Sequence, residues 1–267
     1  MSVALRPAWL DRRAAPALIV ATVSLAAWLS LTLWASSPYA RYVEHAGWAD
    51  AGALAALCRA VPGGEVAVPA VLHALAWVLM IAAMMLPTAL PLVAMFQRLT
   101  DGRPDAHALV ARLLAGYAAA WLAFGILAHA LDGVLRMLAL RSDWFVLHGA
   151  LVAAAVLALA GLFQFSALKY RCLEQCRTPF SFVTSRWRGR APGREAFRLG
   201  LDHGLFCVGC CWALMLVMFV VGIGSIGWML ALAAVMAAEK NLPWGKRLRM
   251  PLGAGLVAWG VWLAVAA

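Results

Sequence analysis

Apolar residues in this chain come as long unbroken blocks, with the charged residues gathered between them. The blocks cover 14–34, 69–96, 108–131, 144–165, 205–223, a shorter stretch ending at 238, and 251–267. A bilayer core is spanned by roughly 20 consecutive apolar residues, and unbroken blocks of that length exclude the alternating pattern of strands. The pattern therefore predicts an all-α, polytopic helical membrane protein with about seven transmembrane helices. Residues 1–267 read as a single integral-membrane helical bundle.

The punctuation between blocks refines this. Ala35, Ser36 and Ser37 follow the first block in the manner of a signal-peptide cleavage site, but the block exceeds the 7–15 apolar residues of a signal core, so a retained first span is expected. Residues 36–68 are mixed, with a turn at Pro62-Gly63-Gly64 and a short surface helix over 51–60 that carries Cys58, read as an inert buried thiol. Pro87 and Pro91 predict a kink in the second span, tolerable where neighbours satisfy the freed carbonyls. A short amphipathic piece is expected over 132–143, before the fourth span, and a long basic loop over 166–200. Gly222, Gly224 and Gly227 turn the fifth span into a short sixth.

Composition agrees: the 267 residues are 65% hydrophobic and 13% charged, too apolar for a soluble domain. The formal net charge of +10 would suit nucleic acid or anionic lipid, yet its distribution is topological. With the N-terminus inside, every Lys and Arg except Arg41, Arg59, Arg136 and Arg141 falls on the inner side. This predicts a multi-pass protein of the bacterial inner (cytoplasmic) membrane with its C-terminus outside. Its partner is the lipid bilayer rather than nucleic acid, and the basic segment from Lys169 to Arg198 offers a surface to a partner protein.

The chemistry concentrates at one boundary. His203, Cys207, Cys210 and Cys211 stand at i, i+4, i+7 and i+8 and share one helical face. Cys172 and Cys176, spaced i, i+4 on a helical extension of the fourth span, provide a second pair able to meet it. Thiolates and imidazole suit soft or borderline ions, so Cu(I) is expected first and Zn(II) next. Glu239, beside Lys240, is a further ligand, an acceptor orienting His203, or a helix-end ion pair with Lys240 or Arg249; Asp202 reads as a helix cap. Met80, Met84 and Met85 are soft donors as well as ordinary core residues. His73, His129 and His148, near the outer ends of three spans, outline a fainter outer site. No zinc module, covalent haem signature, phosphate loop or hydrolase triad is present in the sequence.

Several stretches resemble a bacterial family of unknown function catalogued as predicted metal-binding integral membrane proteins. They are Trp77, Met80, Ala83-Met84-Met85 and Pro87; Gly116-Tyr117, Trp121 and Phe124; Gln164, Leu168-Lys169, Cys172-Leu173, Cys176-Arg177 and Pro179; His203-Gly204, Cys207, Gly209-Cys210-Cys211-Trp212 and Leu214-Met215; and Glu239-Lys240. The resemblance covers about residues 70–245, with Phe206 standing where the pattern has tyrosine. It implies metal binding in the membrane and leaves transport, sensing and delivery open. Two other readings are a thiol–disulfide oxidoreductase using Cys207 and Cys210, and a scaffold without chemistry; a reducing cytoplasmic location argues against the former.

Overall fold

The computed structural model describes residues 15–36, 71, 74–141, 148–222 and 225–266, which form helices and connecting turns with no strand. The expectations for Cys58, His73 and the surface helix over 51–60 lie outside the described residues. In chain order the helices are α1 (Ala15–Ala35), α2 (Ala74–Met85), α3 (Leu90–Thr100), α4 (Ala106–Arg141), α5 (Gly149–Gln164), α6 (Ala167–Arg177), α7 (Pro179–Arg186), α8 (Pro192–Val221), α9 (Ile226–Asn241) and α10 (Gly245–Ala266). Four of them, α1, α4, α8 and α10, are long and apolar enough to cross a bilayer. The count becomes six if the bent pairs α2–α3 and α5–α6 are each one span, and α9, the expected sixth span, has 16 residues.

Three sequence expectations are corrected. The segment 166–200 is helical for most of its length, not a loop, because each start carries its own signal. Ser166 Oγ accepts the Lys169 amide at 3.1 Å. Pro179 and Pro192 stand in the first turns of α7 and α8. Glu195 accepts the backbone amides of Arg188, Gly189, Arg190 and Ala191, gathering the approach to α8 onto one carboxylate. Because α8 starts at Pro192, Asp202 lies within it and pairs with Arg186 at 3.4 Å instead of capping. The amphipathic piece over 132–141 is likewise continuous with α4 rather than separate.

The kink at the prolines has a full hydrogen-bond account. Ile81–Met85 form a π-helical turn and Pro87–Ala89 a 3₁₀ turn, with a bend of 47° between α2 and the following helix. Pro87 has no N–H for the Ala83 carbonyl, which instead accepts Trp28 Nε1 of α1 at 3.1 Å. Ser24 Oγ serves the Ala82 carbonyl at 2.8 Å, and Thr88 Oγ1 and Tyr117 OH serve that of Met85 at 2.7 and 3.2 Å. Helices α1 and α4 thus satisfy what the prolines leave open, as buried backbone requires.

Helices α4 and α8 approach backbone to backbone. A Cβ on Gly116 would collide with the Phe197 carbonyl, one on Gly200 with the Leu113 carbonyl, and one on Gly204 would lie 2.7 Å from the Ala120 methyl. Contacts that advance together along both helices make α4 and α8 parallel. Tyr117 and Trp121 of α4 instead meet Met85 and then Trp77 of α2, whose indole donates to the Trp121 carbonyl at 2.9 Å. Helix α2 is therefore antiparallel to both. Gly161 and Gly253 provide a similar close contact between α5 and α10.

The backbone contact sets a prediction. Gly200→Ala inserts a methyl where another helix's carbonyl lies, so it should cost about 1–3 kcal/mol of overpacking and lower the melting temperature of purified protein. An unchanged melt would show that α4 and α8 are not in contact at that level.

Candidate functional site

The middle turns of α8 carry His203, Cys207, Cys210 and Cys211, all buried. A 3.6-residue period brings the last three to the same side of the helix, where the Cys210 and Cys211 sulfurs lie 3.3 Å apart. The Cys210 thiol also donates to the Cys207 carbonyl at 3.1 Å. Helix α6 contributes the fourth sulfur, Cys176 Sγ at 4.0 Å from Cys210 Sγ. Two separate helices thus place four free thiols together, Cys207, Cys210 and Cys211 buried and Cys176 half-buried.

Cys172 is placed differently. One turn before Cys176, it packs against Gly209, where an added Cβ would lie 2.7 Å from its sulfur. Gly209 makes the room that lets α6 settle on α8, so Cys172 shapes the helix contact that carries Cys176 to Cys210.

Lys240 of α9 enters the cluster from the other side. Its ammonium is 2.9 Å from Cys207 Sγ, 3.2 Å from Thr88 Oγ1 and 3.8 Å from Met85 Sδ. Tyr117 OH, from α4, is 3.1 Å from the same Cys207 sulfur. A buried ammonium needs an anionic or polar partner, and the Cys207 sulfur and the Thr88 hydroxyl are the nearest it has. Sequence reasoning did not assign Lys240 or Tyr117 to the site. Both stand in the stretches that carry the family resemblance, which was the available signal.

Glu239 is not at the thiols. Its carboxylate binds Lys169 Nζ at 2.7 and 3.0 Å, with the side chains of the pair 1% and 0% exposed. Arg177 bonds the Glu239 carbonyl and, at 2.7 and 3.3 Å, those of Leu242 and Pro243, which closes the C-terminus of α9 with a cation as the helix dipole favours. Lys169 and Arg177 therefore clamp α6 to α9, and adjacent Glu239 and Lys240 divide between clamp and cluster.

His203 lies one turn before Cys207. Its ring meets Phe182 edge-on at 5.2 Å and tilts against Tyr117 at 6.1 Å, and its Nδ1 has no hydrogen-bond partner. Helix α7 covers it, with Phe182 in turn beneath the Arg186 guanidinium at 4.0 Å. His129 and His148 belong to α4 and to the start of α5. Among the described residues no three His, Cys, Asp or Glu side chains are already disposed around one point as metal ligands; the sulfurs contact one another instead.

The donor set is soft: four thiols, with the buried Met85 thioether alongside. Sulfurs 3.3 and 4.0 Å apart lie within twice a metal–thiolate bond, roughly 2.3 Å each for zinc, so one ion can bind two of them with small side-chain adjustment. Thiolate and thioether donors suit soft and borderline ions, Cu(I) and Zn(II) among them. A bundle of long apolar helices around a group of free thiols defines a class, that of all-helical proteins that could offer sulfur to a soft metal. Residues 74–263 match the model of the family PpoB2, described as a copper chaperone. The chain belongs to this copper chaperone family. No curated protein and no solved structure matches it.

The clamp yields the next prediction. Removing one partner of a buried ion pair leaves the other uncompensated at a cost of about 3–5 kcal/mol. Lys169→Met should therefore lower the melting temperature sharply, and Lys169→Met with Glu239→Met should recover much of it. A double variant no better than the single would mean that the pair is not desolvated.

Proposed function

We propose that the protein is a multi-pass membrane copper carrier that takes Cu(I) at the buried thiol cluster and passes it to an acceptor. The observation that carries this reading is the meeting of Cys176 with Cys207, Cys210 and Cys211 across two helices in a protein of a copper chaperone family. Copper is cargo here, held by the thiolates and released to another protein by ligand exchange; Cys207 with Cys210 and Cys211 of α8 would make the first bonds, and Cys176 of α6 the exchangeable one. The Lys240 ammonium favours copper over zinc: a positive charge in the same apolar pocket repels a divalent ion about twice as strongly as a monovalent one.

The membrane setting is supported by the four long apolar helices and by their surfaces. Leu25, Leu29 and Leu33 of α1, Ile126 and Leu127 of α4, and Val261 and Trp262 of α10 are all exposed, an exterior suited to lipid. With the positive-inside distribution, the reading places seven spans in a bacterial inner membrane, the N-terminus and the cluster facing the cytoplasm. Arg186, Arg188, Arg190, Arg194 and Arg198, on the end of α7, the link after it and the start of α8, give that face a basic surface for an acidic acceptor protein.

Copper analysis of protein purified under reducing conditions is the direct test. Roughly one Cu(I) per chain is expected for a single soft-donor cluster, falling to near zero in Cys207→Ser/Cys210→Ser/Cys211→Ser and remaining in Cys172→Ser. Full copper retention by the triple variant would overturn the assignment. Separately, Lys240→Met should raise zinc retention relative to copper; an unchanged ratio would remove the electrostatic account of selectivity.

A further inference from the structure

Sulfur is divided unequally between the two buried cores. The core that contains the thiols also holds seven of the chain's 11 methionines, each nearly inaccessible. The second core, built on Leu92, Val93, Phe96, Leu109, Leu113 and Phe182, has only the half-buried Met95 at its edge and no fully buried sulfur. Methionine used only as an adaptable filler would serve either core. The concentration of fully buried methionine in one asks for another reason.

The arrangement along the helices gives one. On α8, His203, Cys207, Cys211, Met215 and Met218 follow at intervals of four, four, four and three residues. They form one stripe, which climbs about 22 Å at 1.5 Å per residue. Helix α9 returns with Lys240 at Cys207, Met236 about one turn beyond it, and Met229 two further turns along. Helix α2 is antiparallel to α8, with Met85 at Lys240 and then Met84 and Met80 successively farther from the thiols. Met84 and Met85 are neighbours in sequence, yet both are buried in the thiol core, at the π-helical turn. Three helices thus share a level at Lys240 and Cys207, and from it each sends methionines in the same direction.

We propose that this sulfur-lined seam is a Cu(I) path that connects the thiol cluster with the far end of the bundle, so that the protein moves copper along its long axis. Thioethers are neutral soft donors: they hold Cu(I) without fixing it as thiolates do, and they offer little to hydrated divalent ions. Passage is ligand exchange between successive sulfurs, with copper remaining Cu(I) throughout. The proposal rests on the copper-carrier reading, and its test separates the two.

Protein reconstituted in liposomes is given Cu(I) outside, with a chromophoric Cu(I) chelator enclosed. Met215→Leu/Met218→Leu/Met229→Leu conserves volume, and melting curves and copper stoichiometry in detergent check that fold and thiol cluster survive. Wild-type protein is expected to load the chelator and the variant to do so at least about tenfold more slowly, with thiol-bound copper unchanged. With excess Ag(I) as probe, X-ray absorption should show neutral-sulfur coordination in the wild type that the variant loses. Wild-type flux in the triple variant overturns the path, as does a wild-type protein that holds copper at its thiols yet passes none into liposomes. Absence of thiol-bound copper in the wild type overturns the carrier reading itself, and the path with it.

Discussion

A lysine buried among sulfur is the constraint around which this bundle is arranged. The Lys240 ammonium is held by Cys207, Thr88 and Met85, which come from α8 and from the two sides of the bend after α2. Desolvating a charge is tolerable only when its partners are in place, so this one group fixes α2, α8 and α9 at a common level. Tyr117 brings α4 to the same point through Cys207 and the Met85 carbonyl. The clamp of Lys169 and Arg177 on the end of α9 then fixes α6, and with it Cys176. Each sulfur in the cluster is placed by a contact made elsewhere.

The bend in α2 is part of the same device. A regular helix through Ile81–Met85 would direct consecutive residues a hundred degrees apart and leave no free carbonyl for Tyr117. The π-helical turn together with Pro87 opens carbonyls, which Ser24, Trp28, Thr88 and Tyr117 then satisfy. The hydrogen bonds given up within α2 become hydrogen bonds to α1 and α4. Local irregularity is thereby converted into inter-helix register, at the level where Met85 meets Lys240.

Much of this was legible in the sequence, and the limits have physical causes. Long apolar blocks report helices directly, because their length and absence of charge leave few alternatives. The shared face of Cys207, Cys210 and Cys211 follows from helical period alone. What period cannot supply is contact between helices. Cys172 and Cys176 look equivalent at i, i+4, yet a glycine opposite one and a thiol opposite the other give them different surroundings. Glu239 and Lys240 are adjacent, so a helix turns them about 100° apart and they serve different partners. The basic stretch over 166–200 reads as a loop by composition, but caps and prolines at the starts of α6, α7 and α8 outweigh its polarity.

The separation of support from chemistry explains how Cys176, Cys210 and Cys211 can remain uncommitted in a packed bundle, while Cys207 alone of the four also holds Lys240. Helix α8 is held against α4 by glycine contacts at Gly116, Gly200 and Gly204, and α6 against α9 by buried charge. Neither set of contacts uses a cysteine of the cluster. A metal that bridged helices in order to fold the protein would be costly to release, since its binding energy would be folding energy. Here the helices are positioned by other means, so a bound ion would contribute little to the fold and could leave without dismantling it. For a member of a copper chaperone family that is a useful condition: the glycine contacts and the Lys169–Glu239 pair hold the helices whether or not an ion sits at the sulfurs.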